Sequence, residues 1–222
     1  MNYLVVVAHP DDECDCGGTI HKLIKQGNEV AVAFMCSKAQ ARKDLSSTLK
    51  QDETKALEIL GVNKVYEADF PNIKMNTVPH LDLVQFIEKC IEDFSAEAII
   101  THHPTDTNDD HRQTSYAAQA ACRLFQRRSN IPTLKLFMYM EVLSSTEWSL
   151  DSSSNRFTPN YFVEIGKEGL DTKLASLAEY KGVMRDFPHP RCKEVFEGLA
   201  AYRGAQSGSN YAEAFECVFN RN

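Results

Sequence analysis

Apolar positions along the chain switch between two periods, and the switches mark out the elements. Residues 3–8 are almost unbroken apolar sequence rich in Val, the pattern of a strand buried on both faces. Residues 17–26 then read as a helix stopped by Gly27. A second Val/Ala/Phe strand follows at 29–35, and 36–47 is polar with no period. Leu49, Ala56, Leu57 and Leu60 share a helical face ended by Gly61. A short strand at 64–66 leads into a loop at 71–77. Between His80 and Phe94, Leu81, Val84, Ile87, Cys90, Ile91 and Phe94 make one apolar stripe, which predicts an amphipathic helix. A buried strand is expected at 97–101. The helix after it, 110–127, has Tyr116, Ala117, Ala120, Ala121 and Leu124 on its apolar face.

Strands alternating with helices through residue 127 predict an α/β sandwich, with helices on both faces of a mostly parallel sheet. Right-handed crossovers put the strand C-termini on one edge, where ligands of such sheets bind. Beyond 127 the pattern loosens. A strand is expected at 134–142, a Ser/Asn-rich loop or flap at 144–159, a strand at 161–165 and helices near 168–182 and 190–206. No repeat or low-complexity linker interrupts the chain, so one domain over 1–222 is expected.

Composition narrows the class. The 222 residues are 43% hydrophobic and 25% charged, enough for a core without staples. A formal charge of −7 argues against a generic nucleic-acid or anionic-membrane binder, though not against a locally basic pocket. No apolar run reaches the roughly 18 residues of a membrane span, and residues 1–4 lack the pattern of a signal peptide. Seven irregularly spaced cysteines oppose a disulfide framework. A cytoplasmic protein is expected.

The chemistry lies in two turns that follow two different strands. His9-Pro10-Asp11-Asp12-Glu13 follows the first strand, and residues 102–112, with His102, His103, Asp106, Asn108, Asp109, Asp110 and His111, follow the strand at 97–101. Imidazoles and carboxylates gathered on the ligand-binding edge point to a metal site; a polar surface loop is the plainer explanation for either cluster alone. Cys14-x-Cys16 lacks the second pair a thiolate zinc site needs, and Gly17-Gly18 is not a dinucleotide fingerprint.

Ala8 to Glu13 with Cys16-Gly17-Gly18-Thr19 behind them, and Asp110-His111-Arg112 after an apolar strand, resemble the LmbE/PIG-L family of zinc-dependent N-deacetylases. The resemblance extends over most of the chain, including Gly27-x-Glu29-Val30, the helix end at 58–62 and the closing segment 209–216. It implies a Rossmann-like three-layer sandwich in which His9, Asp12 and His111 bind Zn²⁺. Two imidazoles and a carboxylate would leave a tetrahedral ion one open position for water. Asp11 is implied to be the general base that accepts a proton from that water. Many relatives have a histidine where this chain has Asn108, which can hydrogen-bond an oxyanion but cannot deliver a proton at neutral pH. Asp11, once protonated, is therefore expected to return the proton to the leaving amine.

Asp110 is expected either to orient a ligand or to sit as a carboxylate at a helix N-terminus. Asp106 and Asp109 read as loop or cap residues, and His103 as a pocket or structural histidine. Arg42 and Lys50 are candidates for substrate contact, Lys50 standing where relatives often carry arginine. His21, His80 and His189 lie in helical or loop contexts where a structural role is the default.

The resemblance implies removal of an N-acetyl group from an N-acetylglucosamine-type sugar or glycoconjugate. The competing readings are an amidase for a small acetylated or thiol-conjugate metabolite, a metal-dependent phosphoesterase and a non-catalytic zinc-binding protein. The implied partner is a small amino-sugar substrate, with no nucleic acid and no integral membrane segment. Relatives are often oligomeric, so a homo-oligomer of unspecified number is a further expectation.

Overall fold

The computed structural model describes residues 1–38, 48–150 and 155–221. Inside its sheet, β1 (Asn2–Val7) runs parallel to β2 (Glu29–Phe34) on one side and to β4 (Ala98–His102) on the other. β3 (Lys64–Glu67) extends the sheet beyond β2, and β5 (Leu136–Met140) extends it beyond β4, both in parallel. β7 (Ala212–Asn220) runs antiparallel to β5, and β6 (Tyr161–Glu164) antiparallel to β7. The order is β3-β2-β1-β4-β5-β7-β6, a seven-stranded, mostly parallel sheet.

The apolar run of β1 is explained by its two covered faces. Leu4 and Val6 point into a core shared with α3 (His80–Phe94) and α4 (Asp109–Ala121). Val5 and Val7 point to the opposite core, under α1 (Gly17–Lys25), α2 (Leu49–Leu60) and α5 (Gly166–Glu179). Each such side chain contributes roughly 1.5–3 kcal/mol of burial, so no polar residue is tolerated on either face. α6 (Lys193–Ser207) packs along β7, its Phe196 joining the same core as Phe215, while Ala200 clusters with Ile165 and Leu170.

The structure departs from the sequence reading in several places; the strand expected at 134–142, for example, is confined to Leu136–Met140. α4 ends at Ala121, and Leu124–Gln126 forms a separate 3-10 turn instead of continuing the helix. α5 stops at Glu179, which leaves 180–192 as loop. The closing segment, recognised in the sequence only by resemblance, is the long strand β7. Its Glu213 carboxylate accepts hydrogen bonds from the Gly18 and Thr19 N–H groups at 3.0 and 2.7 Å, which places an anion on the N-terminus of α1. Lys173 Nζ lies 3.0 Å from the same carboxylate, with both side chains buried. A Cβ on Gly18 would stand 2.8 Å from Ile165 Cδ1, 3.0 Å from its Cγ2 and 3.1 Å from its Cβ, so Ile165 would have to shift to admit any larger residue. Among the described residues no helix is long and apolar enough to cross a membrane.

The strand order reverses at β1, and the C-terminal ends of β1 and β4 lie side by side there. The two chemistry-bearing turns leave from those ends.

Candidate active site

The turn after β1 and the first turn of α4 bring His9, Asp12 and His111 together at this switch point. One ligand-type atom from each lies within 4.8 Å of the other two. Asp12 Oδ2 is the hub, 3.3 Å from His9 Nδ1 and 3.3 Å from His111 Nε2. All three side chains are buried or nearly so.

The outward-facing nitrogen of each histidine meets a second carboxylate. His9 Nε2 is 3.0 Å from Asp110 Oδ2, and His111 Nδ1 is 3.3 Å from Asp106 Oδ2. This pairing turns one nitrogen of each ring toward the hub, the arrangement by which ligand histidines are oriented for a cation. Asp110 also accepts the N–H groups of Ile73 at 2.6 Å and Met75 at 3.1 Å. The first of these pins Ile73 at a φ of 57, an unfavourable conformation for a β-branched residue. Asp106 accepts from Ser145 Oγ, from Thr146 Oγ1 at 2.9 Å and from the Asn108 N–H at 2.8 Å. His102 stacks on His111 with centroids 3.9 Å apart. Its Nε2 accepts the Ala8 N–H at 2.8 Å, so this ring is neutral. Burial and the neighbouring His111 lower its pKa to about 3.

The charges of the seat fit a dication. Burial opposes protonation of His9, but hydrogen bonds to Asp110 and Asp12 outweigh it and raise the pKa to about 9. His111 behaves likewise: burial is outweighed by Asp12 and Asp106, to about 10. Asp12, despite burial, is held well below the usual carboxylate range by His111 and His9. With protein groups alone, two protons thus sit among three carboxylates (Asp12, Asp106 and Asp110). A divalent ion would replace those protons charge for charge, and imidazole and carboxylate are the ligand types a zinc-like ion takes.

Among the described residues a second group, His9, Cys36 and Asp110, also has ligand-type atoms within 4.8 Å of one another, and Asp11, beside the seat, belongs to neither set. Its φ of 110 is in the left-handed half of the map, and its carboxylate Oδ2 accepts from Arg191 Nη1 at 2.6 Å. Burial raises its pKa, against the pull of Arg191 and His9. Arg191 is itself held by the Leu143 carbonyl at 3.3 Å and by Ser144 Oγ at 2.9 Å.

A cleft of about 800 Å³ opens over the seat, with His9, Asp11, Asp12 and His111 among its lining residues. Lys181, Arg185, His189 and Arg191 line it too, from the segment after α5. Asn108 also lines the cleft, where its side-chain oxygen caps α4 by accepting from the Asp110 N–H at 3.0 Å. His103 is directed elsewhere: it contacts Thr105 Oγ1 at 2.9 Å and Glu216 at 3.3 Å, and packs edge-on to Tyr139 and Phe157. Lys50 is occupied by Glu53 at 2.6 Å and Glu67 at 2.7 Å, outside the cleft lining. Arg42 lies outside the described residues. Sequence reasoning missed three groups: Arg191 on Asp11, Asp106 on His111, and the neutral His102 beneath the seat. Asp106 and His102 stand inside the second cluster, so their residue types were the available signal. Arg191 carried none.

Two histidines and one carboxylate that could hold a metal ion, buried at the switch point of an α/β sheet with a further carboxylate beside them, define a class: α/β proteins with a candidate metal site. Within it, the chain belongs to the PIG-L family of GlcNAc-PI de-N-acetylases, whose model matches residues 4–122. A diacetylchitobiose deacetylase of Thermococcus kodakarensis is 23% identical over 232 residues, covering 97% of this chain and 82% of its own length. The N,N'-diacetylchitobiose deacetylase of Pyrococcus horikoshii superimposes with a TM-score of 0.78 at 20% identity, over 98% of this chain and 83% of that one. The 4-carboxy-2-hydroxymuconate hydratase of Pseudomonas putida KT2440 does so with a TM-score of 0.79 at 20% identity, over 100% and 97%. A hydratase therefore shares this architecture, and the reaction has to be argued from the site.

Proposed function

We propose that this protein is a zinc-dependent deacetylase that hydrolyses the N-acetyl amide of an N-acetylglucosamine-type sugar or short glycoconjugate. Family membership and the likeness to a diacetylchitobiose deacetylase support the reaction class. The observation that carries the mechanism is Asp11, a carboxylate beside the seat, outside its ligand sets and held by Arg191. His9, Asp12 and His111 would hold the zinc, which when bound supplies a more acidic water and a Lewis acid for the acetyl carbonyl.

The protein's own groups handle the protons. Asp11 accepts a proton from the attacking water as the new C–O bond forms, and returns it to the amide nitrogen as the C–N bond breaks. Arg191 occupies Oδ2 and favours the ionised base, while burial keeps that base strong enough to accept a proton. Asn108, with its oxygen engaged as the cap of α4, has an amide N–H₂ to offer a developing oxyanion but no proton to transfer.

Acetate release should be measured with N-acetylglucosamine, N,N'-diacetylchitobiose and a glycolipid-type N-acetylglucosaminide, alongside metal analysis. Release from at least one, with about one zinc per chain and loss in Asp11→Asn, is the expected result. No release from any amino sugar would end this reading. A second reading has one observation in its favour: Lys181, Arg185, His189 and Arg191 on one wall suit an N-acetyl compound that carries a carboxylate or phosphate. An acidic N-acetyl metabolite in the same panel tests it.

A further inference from the structure

One carboxylate of the opening motif has no part in the chemistry so far. Glu13 is fully buried and is in neither potential ligand set, and no ion pair reaches it among the described residues. A carboxylate in that position is destabilising unless donors match its oxygens. The matching donors are informative. Glu13 Oε2 accepts the backbone N–H of Asp11 at 3.0 Å. Oε1 accepts the Tyr180 hydroxyl at 2.6 Å and the Cys14 thiol at 3.4 Å. Cys14 Sγ in turn accepts from Ser176 Oγ at 3.3 Å. Glu13 is thus fastened to α5 and the residue after it on one side, and grips the backbone of Asp11 on the other.

That grip falls on a strained residue of the site. Asp11 has φ 110 and ψ −28, a sparsely populated combination for any side chain with a Cβ. Such a conformation persists only where its surroundings over-determine it. The Cys14 N–H bond to the Asp11 carbonyl, 3.1 Å, fixes one end of the residue, and Glu13 fixes the other. The conformation sets where the Asp11 side chain leaves the turn: toward Arg191, and apart from the ligand set formed by its neighbours His9 and Asp12.

We propose that Glu13 is a positioning residue whose carboxylate locks the Asp11 backbone in its left-handed conformation and so keeps Asp11 available as a base. The inference rests on the reading of Asp11 given above. What matters is the length of the Glu13 side chain and an acceptor at its tip, not its charge.

Glu13→Gln keeps the length and one acceptor oxygen for the Asp11 N–H, and removes the ionisable carboxyl. Glu13→Asp keeps the carboxyl and withdraws the acceptor by one methylene. The expected order is therefore Gln above Asp in kcat. The Gln variant should lie within about fivefold of wild type and the Asp variant about 100-fold below it, the scale of a misplaced catalytic group. KM and metal content per chain should stay unchanged in both. Crystal structures give a readout independent of turnover: Asp11 φ stays near its wild-type value in Glu13→Gln and relaxes to negative values in Glu13→Asp. Equal or inverted kcat order, an unchanged φ in Glu13→Asp, or loss of metal in step with activity would overturn the proposal. If instead the wild-type enzyme cleaves no N-acetyl substrate, or Asp11→Asn retains full turnover, the reading of Asp11 fails. The two φ values then still decide whether Glu13 is a backbone lock.

Discussion

Replacing Arg191 with Met removes the cation from Asp11 while keeping much of the packing volume. The Nη1–Oδ2 distance is 2.6 Å, and the two side chains are 22% and 13% exposed. With charge centres about 4 Å apart and an effective dielectric near 20, the pair interacts by roughly 4 kcal/mol. Partial solvent access reduces that to about 2 kcal/mol, equivalent to roughly 30-fold in the ionisation equilibrium of Asp11. The sign follows from the opposing influences on Asp11. Burial raises its pKa, and Arg191 is the first of the groups that pull it down. Without Arg191 the protonated form, which cannot act as a base, persists to higher pH. The acid limb of kcat/KM should move toward higher pH, with a loss of about 30-fold on that limb and recovery to the wild-type level or above on the alkaline side. The assay is acetate release across pH 5 to 10 for wild type, Arg191→Met and Arg191→Lys, with Lys intermediate. A uniform fall at every pH would make Arg191 a substrate or structural contact, and an unmoved acid limb would refute the electrostatic argument.

Three further outcomes are expected. Asp110→Asn removes the carboxylate that orients His9 and pins Ile73, so metal affinity measured by chelator competition should fall about 10–100-fold; wild-type affinity would contradict this. Metal-stripped protein should lose thermal stability as pH rises through about 9 to 10, because the folded values of His9 and His111 lie above 6.5; their contribution is complete below 6.5 and disappears above the folded values. A melting temperature that rises between pH 7 and 10.5 would be inconsistent with it. Lys173→Met leaves the 7%-exposed Glu213 buried without its cation, which should cost about 3–5 kcal/mol in urea unfolding; a loss under 1 kcal/mol would show that Glu213 is satisfied by the α1 N–H groups alone.

The legible parts of the fold are those where one chain segment suffices. β1, β2 and β4 are apolar runs because each is covered on both faces, and α3 is a stripe because one face is covered. The edge of the sheet beyond β5 was less legible. β7 alternates only in part, with its buried half ahead of an exposed half, so its pairing with β5 and β6 depends on tertiary context. In the same way, the end of α4 at Ala121 and of α5 at Glu179 is set by packing and turns that apolar spacing does not encode.

By itself the sequence determined the parallel α/β layout and the two polar turns at the ends of two strands, because both follow from local period and residue type. It also named His9, Asp11, Asp12 and His111 as residues to watch. Only the tertiary structure decided what surrounds them. Asp106 reaches His111 through a loop, and Arg191 reaches Asp11 from 180 residues away. Glu13 turns from a third acidic residue in a motif into a clamp once Tyr180 is packed against it. Lys50 and His103 moved the other way: besides Glu53, one helical turn on, Lys50 is engaged by Glu67 of β3, and His103 by Glu216 of β7, partners that only folding brings to them. The reason is physical: hydrophobic period is a property of neighbours along the chain, whereas the orientation and charge of a side chain are set by groups brought next to it through folding.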